Sequence, residues 1–166
     1  MWYSRAAKNR DMFIAFLLPK QISGRLNHID DLDDDLHLTL IYVQDVDPSE
    51  RNTVLEAVES VCSKQEPLNC KFVEIGMMGN GSNTLVANVE AMGMSRFYVD
   101  LLDEIEERLG RELDRKYDLI PHCTLRYDND EAEARMSDLR KVSWKANELM
   151  VQFGRGNKRH LFPLKG

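Results

Sequence analysis

The chain has 166 residues, of which 43% are hydrophobic and 30% charged, a composition that suits one soluble domain with a real core. A formal net charge of −6 argues against a broad phosphate-neutralising surface for long duplex DNA or RNA. It leaves room for a small nucleotide or a strand end held in a local pocket. No apolar run approaches the roughly 18 residues that a spanning helix needs, so no membrane partner is expected.

In chain order, Met12–Leu18 is a short apolar run ended by Pro19 and is expected as a buried strand. Arg5, Lys8 and Arg10 precede it, as they would a secretion signal. The run is short, however, Asp11 interrupts the flank, and Pro19-Lys20-Gln21 is a poor cleavage site. Lys20–Asn27 reads as a short helix, Asp30–Asp35 as an acidic loop and Leu36–Val43 as a strand. Asp47 is a candidate N-cap, with Pro48 at the start of a helix that carries Val54, Leu55, Val58, Val61 and Cys62 at helical spacing. Cys70–Ile75 alternates as a strand, and Gly76–Asn83 is a turn.

The second half repeats this order. Thr84–Val89 reads as a strand. Ser95–Leu109 reads as a helix with Phe97, Leu101, Leu102, Ile105 and Leu109 on one face, closed by Gly110. Leu119–Tyr127 is a strand, Asp130–Leu139 a polar helix, and Glu148–Phe153 and Arg159–Leu164 are strands joined by the basic turn Gly154–Lys158. One domain over 1–166 is expected, an α+β fold of two pseudo-symmetric lobes, roughly 11–80 and 81–166, with antiparallel sheets around a central cleft. Cys62, Cys70 and Cys123 form no CxxC pair and no metal-ligand spacing. Such scattered thiols fit a reducing, cytoplasmic setting in which they act as small apolar residues.

One pattern stands out from this frame. His37-Leu38-Thr39-Leu40 recurs as His122-Cys123-Thr124-Leu125, at matching places in the two halves. The chain holds only four His and four Thr, so two His-x-Thr hits are expected by chance roughly three times in a thousand. On a strand, His37 and Thr39 share one face and Leu36, Leu38 and Leu40 the other; His122 and Thr124 likewise oppose Cys123 and Leu125. That is a cleft wall backed by core. Two imidazoles that titrate near neutrality can act as general base and general acid, and the two hydroxyls can donate to non-bridging phosphate oxygens. The chemistry suits a phosphodiester and calls for no metal and no cofactor. A lone His-x-Thr would more often be structural.

These motifs, read as Leu36-His37-Leu38-Thr39-Leu40 and Pro121-His122-Cys123-Thr124-Leu125, resemble the two signatures of the 2H phosphoesterase superfamily, the 2′-5′ RNA ligase-like proteins and cyclic nucleotide phosphodiesterases. The opening strand Met12–Pro19 is similar too, and the resemblance runs from about residue 11 to the end. It departs from the pattern only at Pro121. The resemblance implies two βαβ-type lobes around a cleft, with His37 and His122 as the acid/base pair and Thr39 and Thr124 on the phosphate. It implies a metal-independent phosphodiesterase cleaving a 2′,3′-cyclic phosphate, a 2′-5′ linkage or a cyclic oligonucleotide signal, with reversible ligation as a possible second direction. Such relatives occur in bacteria and phages, which would put a phage-encoded protein in the host cytoplasm. The expected partner is a nucleotide or short oligonucleotide and the expected state a monomer. The alternative is a nucleotide- or RNA-binding module of the same fold with little turnover.

Further candidates lie around the motifs. Arg126 is in simple alternation with His122 and Thr124 and is expected in the cleft, where Ile41 is its counterpart. Tyr42 and Tyr127 are out of phase, so core packing is expected of them, and a base-stacking role needs a bulge or the strand end. Phe13 and Phe16 sit on opposite faces of the first strand, and one of them is a candidate stacking platform. His28 and His160 lack a Thr and are expected to be structural. Asp31-x-Asp33-x-Asp35 begins like a calcium loop but has Leu36 for the required Gly and Tyr42 for the required Glu, so no metal site is expected there.

Overall fold

A computed structural model of the protein describes residues 10–25, 36–78, 84–115, 119, 121–126, 142–154 and 157–166, with side chains for all of these except 23–25, 75–78, 84, 85 and 124–126. The expected features at His28, Asp30–Asp35, Tyr127 and Asp130–Leu139 lie outside the described residues.

The described elements are β1 (Met12–Leu17), α1 (Lys20–Arg25), β2 (His37–Val43), a 3-10 turn (Pro48–Glu50) leading into α2 (Arg51–Cys62), β3 (Leu68–Met78), β4 (Thr84–Ala91), α3 (Met94–Leu109), β5 (His122–Arg126), β6 (Ser143–Ala146), β7 (Glu148–Phe153) and β8 (Arg159–Pro163). The expected strands and the two long helices are present. Strand β6 is an addition: Ser143 and Lys145 interrupt any apolar run, yet Trp144 and Ala146 point inward and Trp144 packs on Phe72 with ring centroids 4.7 Å apart.

The strands form one antiparallel eight-stranded sheet in the order β6-β3-β4-β5-β2-β1-β7-β8. Its centre is the pair β5–β2, the two His-x-Thr strands. The flanking strands repeat about that seam: β4 and then β3 beside β5, β1 and then β7 beside β2. The halves of the sheet are not the halves of the chain on either side of residue 80. β3 and β4 straddle it and pair from Cys70↔Ala91 to Met78↔Thr84, while β7 from the C-terminal half covers the edge of β1. Each half of the sheet therefore draws on both halves of the chain. The exchange satisfies the backbone edges that two isolated strand pairs would leave open.

Helices α2 and α3 cover one face. Val54, Ala57, Val58 and Cys62 of α2, and Met94, Phe97, Leu101 and Ile105 of α3, join Met12, Ile14, Phe16, Leu38, Cys123, Leu149 and Val151 in the main core. Asp47, the expected N-cap, caps the 3-10 turn that leads into α2. Its Oδ1 accepts from the Ser49 N–H at 3.0 Å, and Glu50 Oε1 accepts from the Asp47 N–H at 3.0 Å, which makes a capping box. Gly110 closes α3 at φ 71°, a left-handed conformation that disfavours any side chain. Among the described residues no helix is long and apolar enough to cross a membrane.

Candidate active site

The two motifs meet across the central seam. Leu38 is paired with Cys123 in antiparallel register. One residue further on each side, that register sets His37 beside Thr124 and Thr39 beside His122. Leu38 and Cys123 both point into the core beneath, at 1% and 0% exposure, so the two His lie on the opposite face. A local twofold thus relates the motifs, and each His has the other motif's Thr as its cross-strand neighbour. The Cys123 thiol is pushed up to about 12 by burial, partly offset by a hydrogen bond with the His37 backbone, and it stays neutral under the pair.

His37 is buried at 8% exposure, and Phe13 meets it edge-on with ring centroids 5.0 Å apart at 82°. Phe13, Ala15 and Met150, flanked by Leu17 and Tyr42, form a second apolar cluster on the His face, separate from the main core. Phe13 is therefore the strand residue beside the site. Phe16, the other candidate, is corrected: at 1% exposure it packs on Phe97 in the main core, with centroids 5.5 Å apart. Strand alternation allows only one of the two on the His face.

Tyr42 is also on that face, contrary to simple alternation. Along β2 the partners on β1 run Ala15↔Thr39 and then Ile14↔Ile41, so Leu40 is skipped. This bulge shifts the phase by one, turns Ile41 into the core at 2% exposure and pairs Tyr42 with Phe13. The expected placing of Ile41 in the cleft is thus reversed. Tyr42 Oη donates to Asp11 Oδ2 at 3.1 Å and accepts from Gln44 Nε2 at 3.2 Å, and Asp11 is 4% exposed. The ring is held in place from behind. The same skip follows the second motif: Val86↔Thr124 is succeeded by Leu85↔Arg126, which passes over Leu125. The alternation that aligned Arg126 with His122 and Thr124 is interrupted there. The side chains of Thr124 and Arg126 lie outside those described.

On the other side of the seam Asn88 is paired with His122, and Glu74 with Asn88. Asn88 Nδ2 donates to Glu74 Oε1 at 2.8 Å. Neither residue stands out in the sequence, because only strand pairing brings them beside His122. His160 packs its ring near Phe153, with centroids 6.1 Å apart, away from the motifs. Among the described residues no three His, Cys, Asp or Glu side chains are grouped so as to hold a metal.

Residues 20–153 match the sequence profile of the 2′-5′ RNA ligase superfamily. The chain belongs to this superfamily. No curated protein sequence matches it. Among solved structures it is similar to TT0787 of Thermus thermophilus, with a TM-score of 0.70 at 20% identity over 94% of this chain and 98% of that one. It is also similar to a phosphoesterase (TM-score 0.64, 19% identity, 94% and 96%) and to E. coli LigT (0.63, 19%, 94% and 95%). At these identities the likeness is one of fold. LigT itself has been crystallised with 3′-AMP, with ATP and with NADP+. The 2H phosphoesterase resemblance of the paired motifs and the superfamily membership thus agree.

Proposed function

We propose that this protein is a 2H-type phosphodiesterase acting on a nucleotide or short oligonucleotide through His37 and His122. The observation that carries the reading is the antiparallel register at Leu38↔Cys123, which sets each His of one motif beside the Thr of the other. In this mechanism a neutral imidazole takes the proton from the attacking hydroxyl or water as the new P–O bond forms. The protonated imidazole gives its proton to the leaving oxygen as the old P–O bond breaks. Thr39 and Thr124 donate hydrogen bonds to the non-bridging oxygens, where charge accumulates. Tyr42, half-buried and backed by the buried Phe13 on the same face, offers its ring to a base. The nucleotides bound by LigT support this class of ligand. The net charge of −6 favours small substrates over long polyanions.

The test is product analysis by liquid chromatography and mass spectrometry, in EDTA. The panel holds 2′,3′-cyclic mononucleotides, 2′-5′ oligoadenylate and cyclic di- and trinucleotides. Turnover that survives EDTA and is lost in a His37→Ala, His122→Ala double variant is expected, and the member consumed names the linkage. Nucleotide binding with no turnover of any member would replace the enzyme by a binding module.

A further inference from the structure

The two His stand at equivalent places about the seam, but the residues paired behind them differ. Across the sheet from His122, the row on the His face runs His122, Asn88, Glu74 on β5, β4 and β3. From His37 the matching row runs His37, Leu17, Glu148 on β2, β1 and β7, extending the Phe16↔Leu149 register by one residue. Both rows end on a carboxylate. The middle residue is an amide in one and an aliphatic side chain in the other.

The amide is set for a particular job. Its Nδ2 is committed to Glu74 Oε1 at 2.8 Å, which fixes the flip of the group and turns Oδ1 away from Glu74. Oδ1 is buried and has no hydrogen-bond partner among the described residues. A shielded acceptor of this kind is out of reach of bulk water. The side chain that shares its cross-strand position is the imidazole of His122, whose ring N–H is a donor of the right kind. Leu17 can offer His37 nothing equivalent. His37 is further enclosed by Phe13, at 8% exposure. Other described charges on the His face near His122 are Lys71 and Glu90, which pair with each other at 3.6 Å. Thr39 lies across the seam and is uncharged.

Building on the phosphodiesterase reading, we propose that Asn88 is a positioning residue that accepts a ring N–H of His122 and links it to Glu74, making His122 the proton donor and His37 the proton acceptor. His37 takes the proton of the attacking O–H, His122 protonates the leaving oxygen, and both return to their starting states by exchange with solvent. The amide fixes one tautomer of His122, and Glu74 behind it holds the amide in that orientation. Leu17 insulates His37 from Glu148.

The experiment is a nitrogen-15 NMR titration of the His ring nitrogens in the full chain, with His37 and His122 assigned by substitution. In the unmodified protein His122 is expected in one neutral tautomer. Asn88→Leu, which copies the Leu17 row, should lower the His122 midpoint and leave His37 in place. Asn88→Asp should raise the His122 midpoint by about one unit or more. On a substrate that turns over, the basic limb of the kcat profile should move with His122, and Asn88→Leu should lower kcat about tenfold or more with KM little changed. A mixture of neutral tautomers at His122 in the unmodified protein would overturn the assignment, as would a titration indifferent to Asn88→Leu or to Asn88→Asp. The unmodified protein and the aspartate variant keep the test open if Asn88→Leu fails to fold. The titration needs no substrate, so an inert panel would sink the enzyme reading while leaving the Asn88 result standing. Full turnover with an unmoved titration would sink only the role of Asn88.

Discussion

At the scale of single residues, the site rests on groups whose burial and partners differ although their motifs match. Replacing either His37 or His122 by Ala removes one proton-transfer step and is expected to lower kcat by about 100-fold or more, measured on whichever substrate the panel identifies. Tyr42 makes a separate prediction. Tyr42→Ala deletes a ring on the His face and should weaken a stacking nucleotide by about 1–3 kcal/mol, read as a rise in KM or in Kd by calorimetry. Tyr42→Phe keeps the ring but strips a hydrogen bond from the buried Asp11, so its cost should appear in Tm more than in KM. The His and Thr residues were legible in the sequence because a two-residue period fixes their shared face. Tyr42 and Ile41 were misread for the same reason. A bulge changes the phase, and a bulge is a property of a strand and its partner together.

At the scale of elements, one side chain ties the end of α3 to the segment just before α2. Arg111, just past the end of α3, donates from Nε and Nη2 to the two Glu50 oxygens at 2.9 Å each, and from Nη1 to Asp45 Oδ2 at 2.9 Å. Its Nη2 also donates to the Asp45 carbonyl at 2.8 Å. The hydrogen bond from Arg111 holds the Glu50 carboxyl below the usual range, outweighing the opposing effect of burial. The folded state therefore favours ionised Glu50 more than the unfolded chain does. That contribution is present at neutral pH and is lost as pH falls through the carboxylate range. Arg111→Ala should cost about 2 kcal/mol at pH 7, and the gap to the unmodified protein should narrow in acid, followed by thermal or urea unfolding. Gly110→Ala, at φ 71°, should cost about 1 kcal/mol by the same measurement without any change in its pH dependence. Asp47, Pro48 and Gly110 were readable as helix boundaries because caps are local chemistry. The Arg111 link was not, because its partners lie more than sixty residues back along the chain.

At the scale of the whole molecule, the seam between the two halves of the sheet is the feature that assembles the site, and Cys123 lies directly beneath it. The thiol is fully buried and its pKa is raised by that burial, so it is expected to resist alkylation in the folded protein. Labelling of Cys123, followed by peptide mass spectrometry, should be slow. It should accelerate on opening of the β2–β5 pair, and a nucleotide that bridges the two motifs should slow it further. Rapid labelling of Cys123 in the folded protein would contradict a closed seam. By itself the sequence determined the described elements other than β6, the caps, the single-faced strands and the paired motifs, because each depends on a period or a spacing of a few residues. Only the tertiary structure decided that the sheet halves exchange β3 and β7, that bulges re-aim Tyr42, and that Asn88 stands beside one His while Leu17 stands beside the other. Those facts are set by which strand lies next to which, and the energy that chooses the neighbour comes from burying a shared core across the whole chain.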